Sequence, residues 1–313
     1  MRRATALRRG NPKIPAVLIG ALMALGLNTA AVAQEIALTF DDLPGQGTLP
    51  PGETRLGVVA RLVAALADAE APPAIGFMNG ASIEAGVEDS AGLRVWRGAG
   101  HILGNHGWSH ANLDAAGQEL IESEISRNEP MLAALAGDTD WRWFRYPFLA
   151  EGQTPVVRHA VRAVLRQRGY GVASVTMDFS DWAFNEPYAR CRAAGDAAGV
   201  ATLERLFLAA AEDALSSSRM LSNNLYGREI PYVLLLHIGA MDAHMLPRLL
   251  RMFEARGVRL VTLEQAMADP FYEVDRLAEN GSGRLTLEAA ASGAGLSTPP
   301  RLDVLPALAA LCR

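Results

Sequence analysis

Apolar and polar positions along the chain follow two patterns from residue 35 onward: short apolar runs typical of buried strands, and longer runs with the spacing of amphipathic helices. The short runs predict seven strands, at residues 36–40, 74–79, 101–105, 141–146, 171–177, 232–237 and 258–262. The helical spacing predicts helices at residues 54–69, 115–135, 154–169, 202–218 and 241–256. Alternating strands and helices predict an α/β protein with a parallel sheet, and seven strands of similar length predict closure into a barrel.

Polar side chains cluster where the predicted strands end. Aspartates follow the first strand, histidines the third, an arginine ends the fourth, aspartates follow the fifth and a histidine ends the sixth: Asp41, Asp42, His106, His110, Arg145, Asp178, Asp181 and His237. Chemistry in such barrels collects at the carboxyl ends of the strands. These positions therefore predict one convergent site.

Two histidines, His106 and His110, are four residues apart, which would place both imidazoles on one face of a helical turn and within reach of one ion. Asp41 and Asp42 add a carboxylate pair from another strand end. Two histidines and one carboxylate with open positions for water form the catalytic type of metal site. The remaining histidines are left out of this site: His101, interpreted as structural, and His159 and His244, which have no identified partner.

The adjacent carboxylates Asp41 and Asp42 are expected to have different roles, because neighbouring side chains on a strand point in opposite directions. One would bind the metal and the other would take a proton from metal-bound water, while the cation offsets the cost of placing two carboxylates together. A turn or helix-cap carboxylate before Pro44 would account for only one of the two. The pair therefore favours a hydrolytic metal site.

Five motifs at these strand ends resemble, in order, those of the polysaccharide deacetylase family, the NodB-homology proteins of carbohydrate esterase family 4. The motifs are Thr39-Phe40-Asp41-Asp42, residues 106–110, Arg145-Tyr146-Pro147-Phe148, Asp178-Phe179-Ser180-Asp181-Trp182 and Leu235-Leu236-His237. The resemblance covers roughly residues 35–268. It implies a distorted (β/α)7 barrel, one divalent metal ion, usually Zn²⁺, and an acetylated carbohydrate as substrate.

The resemblance implies a metal site and a general base. The implied metal ligands are Asp42, His106 and His110. Asp41 would be the general base that takes a proton from the attacking water, and Arg145 would orient it. A structural surface ion pair stays open as the alternative for Arg145, since an arginine before Tyr-Pro could also simply end a strand.

The resemblance also implies a general acid and a substrate pocket. His237 would protonate the leaving nitrogen and Asp181 would tune it, with Asp178 left open as the alternative partner. A core histidine stays open as the alternative for His237, because residues 233–236 are all apolar. The main-chain N–H of Tyr146 would contact the oxyanion. Trp182 and Leu235 would form two walls of an acetyl-methyl pocket, and core packing stays open as the alternative for both.

The implied activity is hydrolysis of the N-acetyl amide of an amino-sugar glycan or oligosaccharide to a free amine and acetate. Leu43 replaces a glycine found in many carbohydrate-active members, and Gly107 replaces a serine or threonine of the second motif. Leu43 is expected to add bulk beside the base, which favours an O-acetyl esterase or a small-molecule amidase as alternatives. A glycan-binding pseudoenzyme is a third alternative, against which the presence of Asp41 and His237 argues.

The first 33 residues have the features of a secretory signal peptide. Five basic residues precede the apolar stretch 14–27, and Ala31-Val32-Ala33 has the small-x-small pattern of a cleavage site. A membrane anchor is the alternative, but Pro15 and Gly20 interrupt the stretch, which is short for a span of about 20 residues. We therefore expect export to the periplasm or the medium, with a mature chain that starts at Gln34.

The charge balance excludes several classes of function. The chain has 29 basic and 34 acidic residues and a net charge of −5, and removal of the five basic residues in the signal leaves −10. Lys13 is the only lysine, so the mature chain cannot use Schiff-base chemistry or a phosphate-loop lysine. An acidic chain without a basic run also argues against nucleic acid as a partner.

The barrel is expected at residues 34–268 and a C-terminal extension at residues 269–313, packed on the barrel or partly mobile, since residues 281–300 are rich in Gly, Ala, Ser and Pro. Cys191 and Cys312 are the only cysteines. An oxidising compartment permits them to pair, and a disulfide and two free thiols both stay open. The sequence predicts no oligomeric state.

Overall fold

The protein is described by a computed structural model that covers Met1 and residues 33–84, 87–114, 116–278 and 286–313. The predicted signal peptide lies outside the described residues apart from its two ends, and it stays a prediction. Ala33–Arg313 form one unit, which holds both the predicted barrel and the C-terminal extension. Among the described residues, no helix combines the length and the apolar character that a membrane span requires.

Seven strands within the described residues form one sheet: β1 (Glu35–Leu43), β2 (Ile75–Met78), β3 (Ile102–Asn105), β4 (Trp143–Phe144), β5 (Gly171–Val172), β6 (Tyr232–His237) and β7 (Arg259–Val261). Their order is β5-β4-β3-β2-β1-β6, with β7 paired to the start of β1. Every neighbouring pair is parallel, as predicted. Two strands are much shorter than predicted, since β4 and β5 contain two residues each.

The sheet curls because the chain beyond β5 leaves β4 and joins β6. The main-chain N–H of Met177 donates to Val233 O at 3.1 Å, and that of Leu235 donates to Met177 O at 3.0 Å. On its other edge β6 runs beside β1, with Asp41 opposite His237. This geometry confirms the distorted (β/α)7 barrel. It also explains why β5 is short, since the end of the predicted strand pairs with β6 instead of β4.

Helices cover the sheet, and two of the five predicted helices differ from their predicted extent. The helices within the described residues are α1 (Arg55–Asp68), α2 (Gly80–Glu84), α3 (Val87–Gly98), α4 (Gln118–Ser126), α5 (Glu129–Ala136), α6 (Pro155–Gln167), α7 (Asn185–Ala194), α8 (Ala197–Tyr226), α9 (Ala240–Ala255), α10 (Leu263–Met267), α11 (Glu273–Arg276), α12 (Leu287–Gly293) and α13 (Leu305–Ala310). Three short 3-10 helices accompany them: Pro147–Leu149, Asp181–Phe184 and Pro270–Tyr272.

The single helix predicted at residues 115–135 is two, because Pro130 in the first turn of α5 has no N–H to continue α4. The helix predicted at residues 202–218 is longer. It begins after the N-cap Asp196 and ends before Gly227, whose backbone is in the left-handed region.

The described part of the C-terminal extension packs on the barrel. α12 contacts α8, and α13 contacts the second of the three 3-10 helices. A disulfide joins Cys191 in α7 to Cys312 after α13, which settles the pairing left open by the sequence. Arg301 donates hydrogen bonds to Asp213 Oδ2 at 3.0 Å and to Asp178 O at 2.6 Å. The extension therefore braces the loop after β5, where the fourth motif lies.

Candidate metal and catalytic site

The two carboxylates at the end of β1 face the same side. Asp42 has a φ of 64°, in the left-handed region, and the pairing of β1 with β2 shifts register between Phe40 and Leu43. As a result, Asp41 Oδ2 and Asp42 Oδ1 each lie 3.6 Å from His106 Nε2. The expectation that the two side chains point in opposite directions is wrong, because the backbone turn at Asp42 interrupts the alternation of the strand.

His106 and His110 lie on the loop that follows β3, and residues 106–110 contain no helical turn. Gly107, with a φ of 76°, and His110, with a φ of 58°, bend this loop. His110 Nε2 lies 3.4 Å from Asp42 Oδ1, the same oxygen that His106 Nε2 approaches at 3.6 Å. The predicted helical turn is therefore wrong, but the bent loop brings the same three side chains together.

The protonation of His106 suits a metal ligand. Its Nδ1 lies 2.9 Å from Arg145 O, and a carbonyl oxygen only accepts, so Nδ1 carries the proton and the lone pair of Nε2 faces Asp42. Burial lowers the pKa of His106 to about 3, so the imidazole is neutral at pH 7. The ligand atoms of Asp42, His106 and His110 all lie within 4.8 Å of one another. One carboxylate and two imidazoles are a donor set that fits Zn²⁺ or a similar divalent ion.

Two buried polar residues hold this histidine loop. Glu124 in α4 accepts hydrogen bonds from the main-chain N–H of Ser109 at 2.8 Å and from its hydroxyl at 2.7 Å. Asn128, before α5, donates to Gly107 O at 2.8 Å. The sequence reasoning missed both residues, although Glu124 stands on the apolar stripe of α4 beside Ile125, an unusual place for a carboxylate. Ser109 and Glu124 thus stabilise the loop in which Gly107 lacks the family's hydroxyl.

A buried arginine holds Asp41. Arg145 Nη1 donates to the two carboxylate oxygens of Asp41 at 3.2 and 3.4 Å. Its Nη2 donates to Thr39 Oγ1 at 3.0 Å and its Nε to Ala173 O at 2.8 Å. Arg145 is fully buried, which excludes the surface ion pair left open by the sequence. Burial raises the pKa of Asp41, and the charge of Arg145 offsets this effect only in part.

His237 is paired with Asp181, and Asp178 has another partner. His237 Nδ1 lies 3.0 Å from Asp181 Oδ1, and the main-chain N–H of His237 donates to Asp181 Oδ2 at 2.7 Å. Asp178 accepts instead from the main-chain N–H of Ser180 at 2.8 Å. Burial lowers the pKa of His237, but the charge and hydrogen bond of Asp181 outweigh burial, and the pKa rises to about 10. His237 is therefore an imidazolium at neutral pH, with Nδ1–H held by Asp181.

A second carboxyl group, Asp242 in α9, lies behind Asp181. Both groups are buried, and their side chains share a hydrogen bond. Burial raises the pKa of Asp242 well above its ordinary value, and the negative charge of Asp181 acts in the same direction. Asp242 therefore holds a proton more readily than Asp181, whose pKa is lowered by His237. The sequence reasoning missed Asp242, which no motif contains.

Residues 29–173 match the family model described as polysaccharide deacetylase. This region is therefore similar to the polysaccharide deacetylase family, over slightly less than half of the chain. The matched residues contain the first three motifs, and the last two motifs, with Asp181 and His237, lie beyond them. In the structure, Asp181 and His237 lie at the same edge of the sheet as the first three motifs, where the strands end. No curated protein sequence matches the chain.

Several solved structures share the fold. The deacetylase T48, in a complex with substrate, is 22% identical over 76% of this chain and 92% of that chain, with a TM-score of 0.50. A family 4 acetyl xylan esterase from Clostridium thermocellum, in complex with a cobalt ion, is 18% identical over 80% and 97%, with a TM-score of 0.51. An active mutant of a family 4 pseudoenzyme from Bacillus anthracis is 16% identical over 75% and 68%, with a TM-score of 0.53. At these identities the likeness shows the fold alone.

The family's motifs converge on one cavity of about 370 Å³. Its lining consists of Asp41, Asp42, Gln46, His106, His110, Phe148, Leu149, Asp178, Trp182, Leu235 and His237. The ring of Tyr146 is buried against Phe144, with ring centroids 5.2 Å apart, which leaves only its main chain for the implied oxyanion contact. A larger hollow of about 670 Å³ between α1 and α9 contains none of these residues. The smaller cavity is therefore the candidate active site, with the predicted walls Trp182 and Leu235 in its lining.

Leu43, the departure from the family's first motif, does not reach this cavity. Its side chain is fully buried in the core, close to Gly76 of β2, where an added Cβ would lie 3.2 Å from Leu43 Cδ2. The expectation of bulk beside the base is therefore wrong. After the turn at Asp42, the side chain of Leu43 packs in the core near Gly76 and is absent from the lining of the cavity.

Proposed function

We propose that the protein is an exported, metal-dependent deacetylase that hydrolyses the N-acetyl amide of an amino-sugar glycan or oligosaccharide to a free amine and acetate. Amide hydrolysis needs an activated water, a stabilised oxyanion and a proton for the leaving nitrogen. One observation carries the proposal: Asp41 and His237, a basic carboxylate and a charged imidazole, line the same cavity as Asp42, His106 and His110.

Asp42, His106 and His110 would hold one divalent ion, and Zn²⁺ is the expected ion because it favours histidine and carboxylate ligands. When bound, it would supply Lewis acidity toward the acetyl carbonyl oxygen and the attacking water. The chain itself orients the ligands. The carbonyl of Arg145 fixes the ring of His106 through Nδ1, and Glu124 fixes the loop between the two histidines.

Asp41 would take the proton of the attacking water. Arg145 fixes the direction of its carboxylate, and Asp41 Oδ2 lies 3.6 Å from His106 Nε2, beside the proposed metal ligands. A general base works best when its pKa lies near the operating pH. Burial moves the pKa of Asp41 in that direction, since it disfavours the charged carboxylate.

His237 would donate a proton from Nε2 to the leaving nitrogen. Asp181 holds the other ring proton on Nδ1, so the imidazole that remains after the transfer is the Nδ1–H tautomer. Asp181 also accepts the main-chain N–H of His237, which fixes the ring relative to β6. The main-chain N–H of Tyr146 would contribute to stabilisation of the oxyanion, as a donor that needs no reorganisation.

Acetate release by the purified mature protein tests this function. We expect release from N-acetylated chitooligosaccharides, loss of release with a chelator, and recovery with added Zn²⁺. Release from acetylated xylan alone would instead support an O-acetyl esterase. Binding of either glycan without release of acetate, in the presence of metal, would support the pseudoenzyme. The esterase and amidase alternatives rested on Leu43, which lies in the core, so no feature of the cavity favours them.

A further inference from the structure

Gln46 lies at the edge of the cavity, on the loop that follows β1. Its main-chain N–H donates to Ile238 O at 2.9 Å, which ties this loop to the residue after His237. Gln46 lines the same cavity as His237 and Trp182. Neither the metal site nor the proposed proton transfers use Gln46.

The direction of the Gln46 amide follows from its neighbour Asn185, the first residue of α7. The main-chain N–H of Met241 donates to Asn185 Oδ1 at 2.9 Å, which identifies the oxygen of the Asn185 amide. Asn185 Nδ2 therefore faces Gln46 and donates to Gln46 Oε1 at 2.7 Å. Because an amide nitrogen only donates, the oxygen of Gln46 faces the protein and Nε2 faces away from Asn185. Within the described residues, this is the one hydrogen bond of the Gln46 side chain.

Asn185 is held in one orientation, and its hydrogen bond therefore also fixes the orientation of the Gln46 amide. Asn185 is fully buried, and its Nδ2 also donates to Asp242 Oδ2 at 3.2 Å. A Cβ at Gly239 would lie 2.1 Å from Asn185 Nδ2, so the chain packs tightly around this amide. Gln46 is therefore a pre-oriented side chain at the cavity and not a mobile surface amide.

The cavity is otherwise rich in hydrogen-bond acceptors. Besides the indole of Trp182 and the charged ring of His237, its polar lining consists of three aspartates and two histidines: Asp41, Asp42, Asp178, His106 and His110. Carboxylates accept hydrogen bonds from sugar hydroxyl groups, but a sugar oxygen that acts as acceptor needs an N–H donor. The amide of Gln46 and the indole N–H of Trp182 are the neutral side-chain donors in this lining.

We propose that Gln46 is a specificity-determining residue whose Nε2–H groups donate a hydrogen bond to an oxygen of the acetylated sugar. The proposal rests on the proposed function and deepens it, because it names a residue that recognises the sugar apart from the acetyl group. A site that hydrogen-bonds a substrate oxygen discriminates against substrates that lack it.

Two variants test the donor. Gln46→Met keeps the length of the side chain without hydrogen bonds, and Gln46→Glu keeps the oxygen that Asn185 contacts but replaces the donor. Gln167→Met, an exposed position in α6, is the matched control. The measured quantity is the ratio of kcat/KM for tri-N-acetylchitotriose to kcat/KM for 4-nitrophenyl acetate, which carries no sugar. We expect this ratio to fall about fivefold or more in both Gln46 variants, through a higher KM for the sugar, and to stay at the wild-type value in the control.

An unchanged ratio in both Gln46 variants, in an enzyme that deacetylates the sugar, would overturn the role of Gln46 and leave the proposed function standing. An equal fall for both substrates would also overturn it, since that result indicates a purely structural role. A wild-type enzyme that cleaves 4-nitrophenyl acetate but no acetylated sugar would overturn the proposed function and the role of Gln46 together.

Discussion

The carboxylate of Asp181 holds His237 at two points, through Nδ1 of the ring at 3.0 Å and through the main-chain N–H at 2.7 Å. A single buried group thus sets both the charge of the proposed acid and its position on β6. Asp181 starts the 3-10 helix after β5, and Arg301 of the C-terminal extension donates to Asp178 O in the preceding loop. The orientation of His237 therefore depends on contacts between distant parts of the chain.

Replacement of Asp181 should shift the pH dependence of amide hydrolysis. Burial lowers the pKa of His237 and Asp181 raises it to about 10, so the acid stays protonated through the neutral range. In Asp181→Asn the charge is gone, and the pKa should fall toward or below the ordinary value of about 6.5. Because an acid must be protonated to act, the alkaline limb of the pH–rate profile should move to lower pH. The exposed control Asp68→Asn should leave the alkaline limb in place. An unshifted alkaline limb in Asp181→Asn would contradict the pairing of Asp181 with His237.

Measurements of metal content should distinguish the roles of the two aspartates of the first motif. We expect about one divalent ion per chain by elemental analysis, lost in His106→Ala because one of three ligands is removed. Asp41→Asn should keep the ion, since Asp42 Oδ1 is the oxygen that both imidazoles approach. Its activity should fall about 10²- to 10⁴-fold, the usual contribution of a general base. Metal loss in Asp41→Asn would show that the two aspartates have exchanged roles.

The loss of activity caused by replacing His237 should depend on the leaving group of the substrate. An amine needs a proton when it departs, whereas the phenolate of an activated acetyl ester does not. His237→Ala should therefore keep its metal and lose about 10²- to 10⁴-fold in kcat on the amide, with a much smaller loss on 4-nitrophenyl acetate. Equal losses on both substrates would remove His237 as the acid.

Glu124 should stabilise the histidine loop. Glu124→Ala removes a buried acceptor of two hydrogen bonds from Ser109, which should lower the free energy of unfolding by about 1.5–3 kcal/mol and weaken metal binding about tenfold. Glu122→Ala, an exposed position on the same helix, is the control and should stay within about 0.5 kcal/mol of wild type. Urea unfolding and metal titration measure the two effects. Equal behaviour of the two variants would show that Glu124 does not support the site.

Export should remove the first 33 residues. N-terminal sequencing of the protein recovered outside the cytoplasm is expected to begin at or near Gln34, after Ala31-Val32-Ala33. The same full-length chain with Leu18 and Leu22 replaced by Arg, which interrupts the apolar stretch, should stay inside the cell. A soluble protein with an intact Met1 would contradict the signal peptide.

Local signals in the sequence were sufficient for the barrel and for most site residues. All seven strands overlap the predicted ranges, because buried parallel strands require short continuous apolar runs. Asp41, His106 and His237 could be selected because each stands where such a run ends. The helix boundaries were less accurate, since the break at Pro130 and the caps at Asp196 and Gly227 outweighed the apolar spacing.

Tertiary structure decided how these residues meet. The sequence by itself determined the fold class, the strand-end residues and the candidate ligands, since burial and position along a strand are local properties. Only the folded chain showed that Asp42 turns toward His110, that Leu43 turns away from the cavity, and that Asp181 reaches His237. Asp41 and Arg145 are 104 residues apart in the chain, so no local pattern in the sequence predicts their contact. Backbone turns and long-range hydrogen bonds form only when the barrel closes, and they set the direction of each functional group.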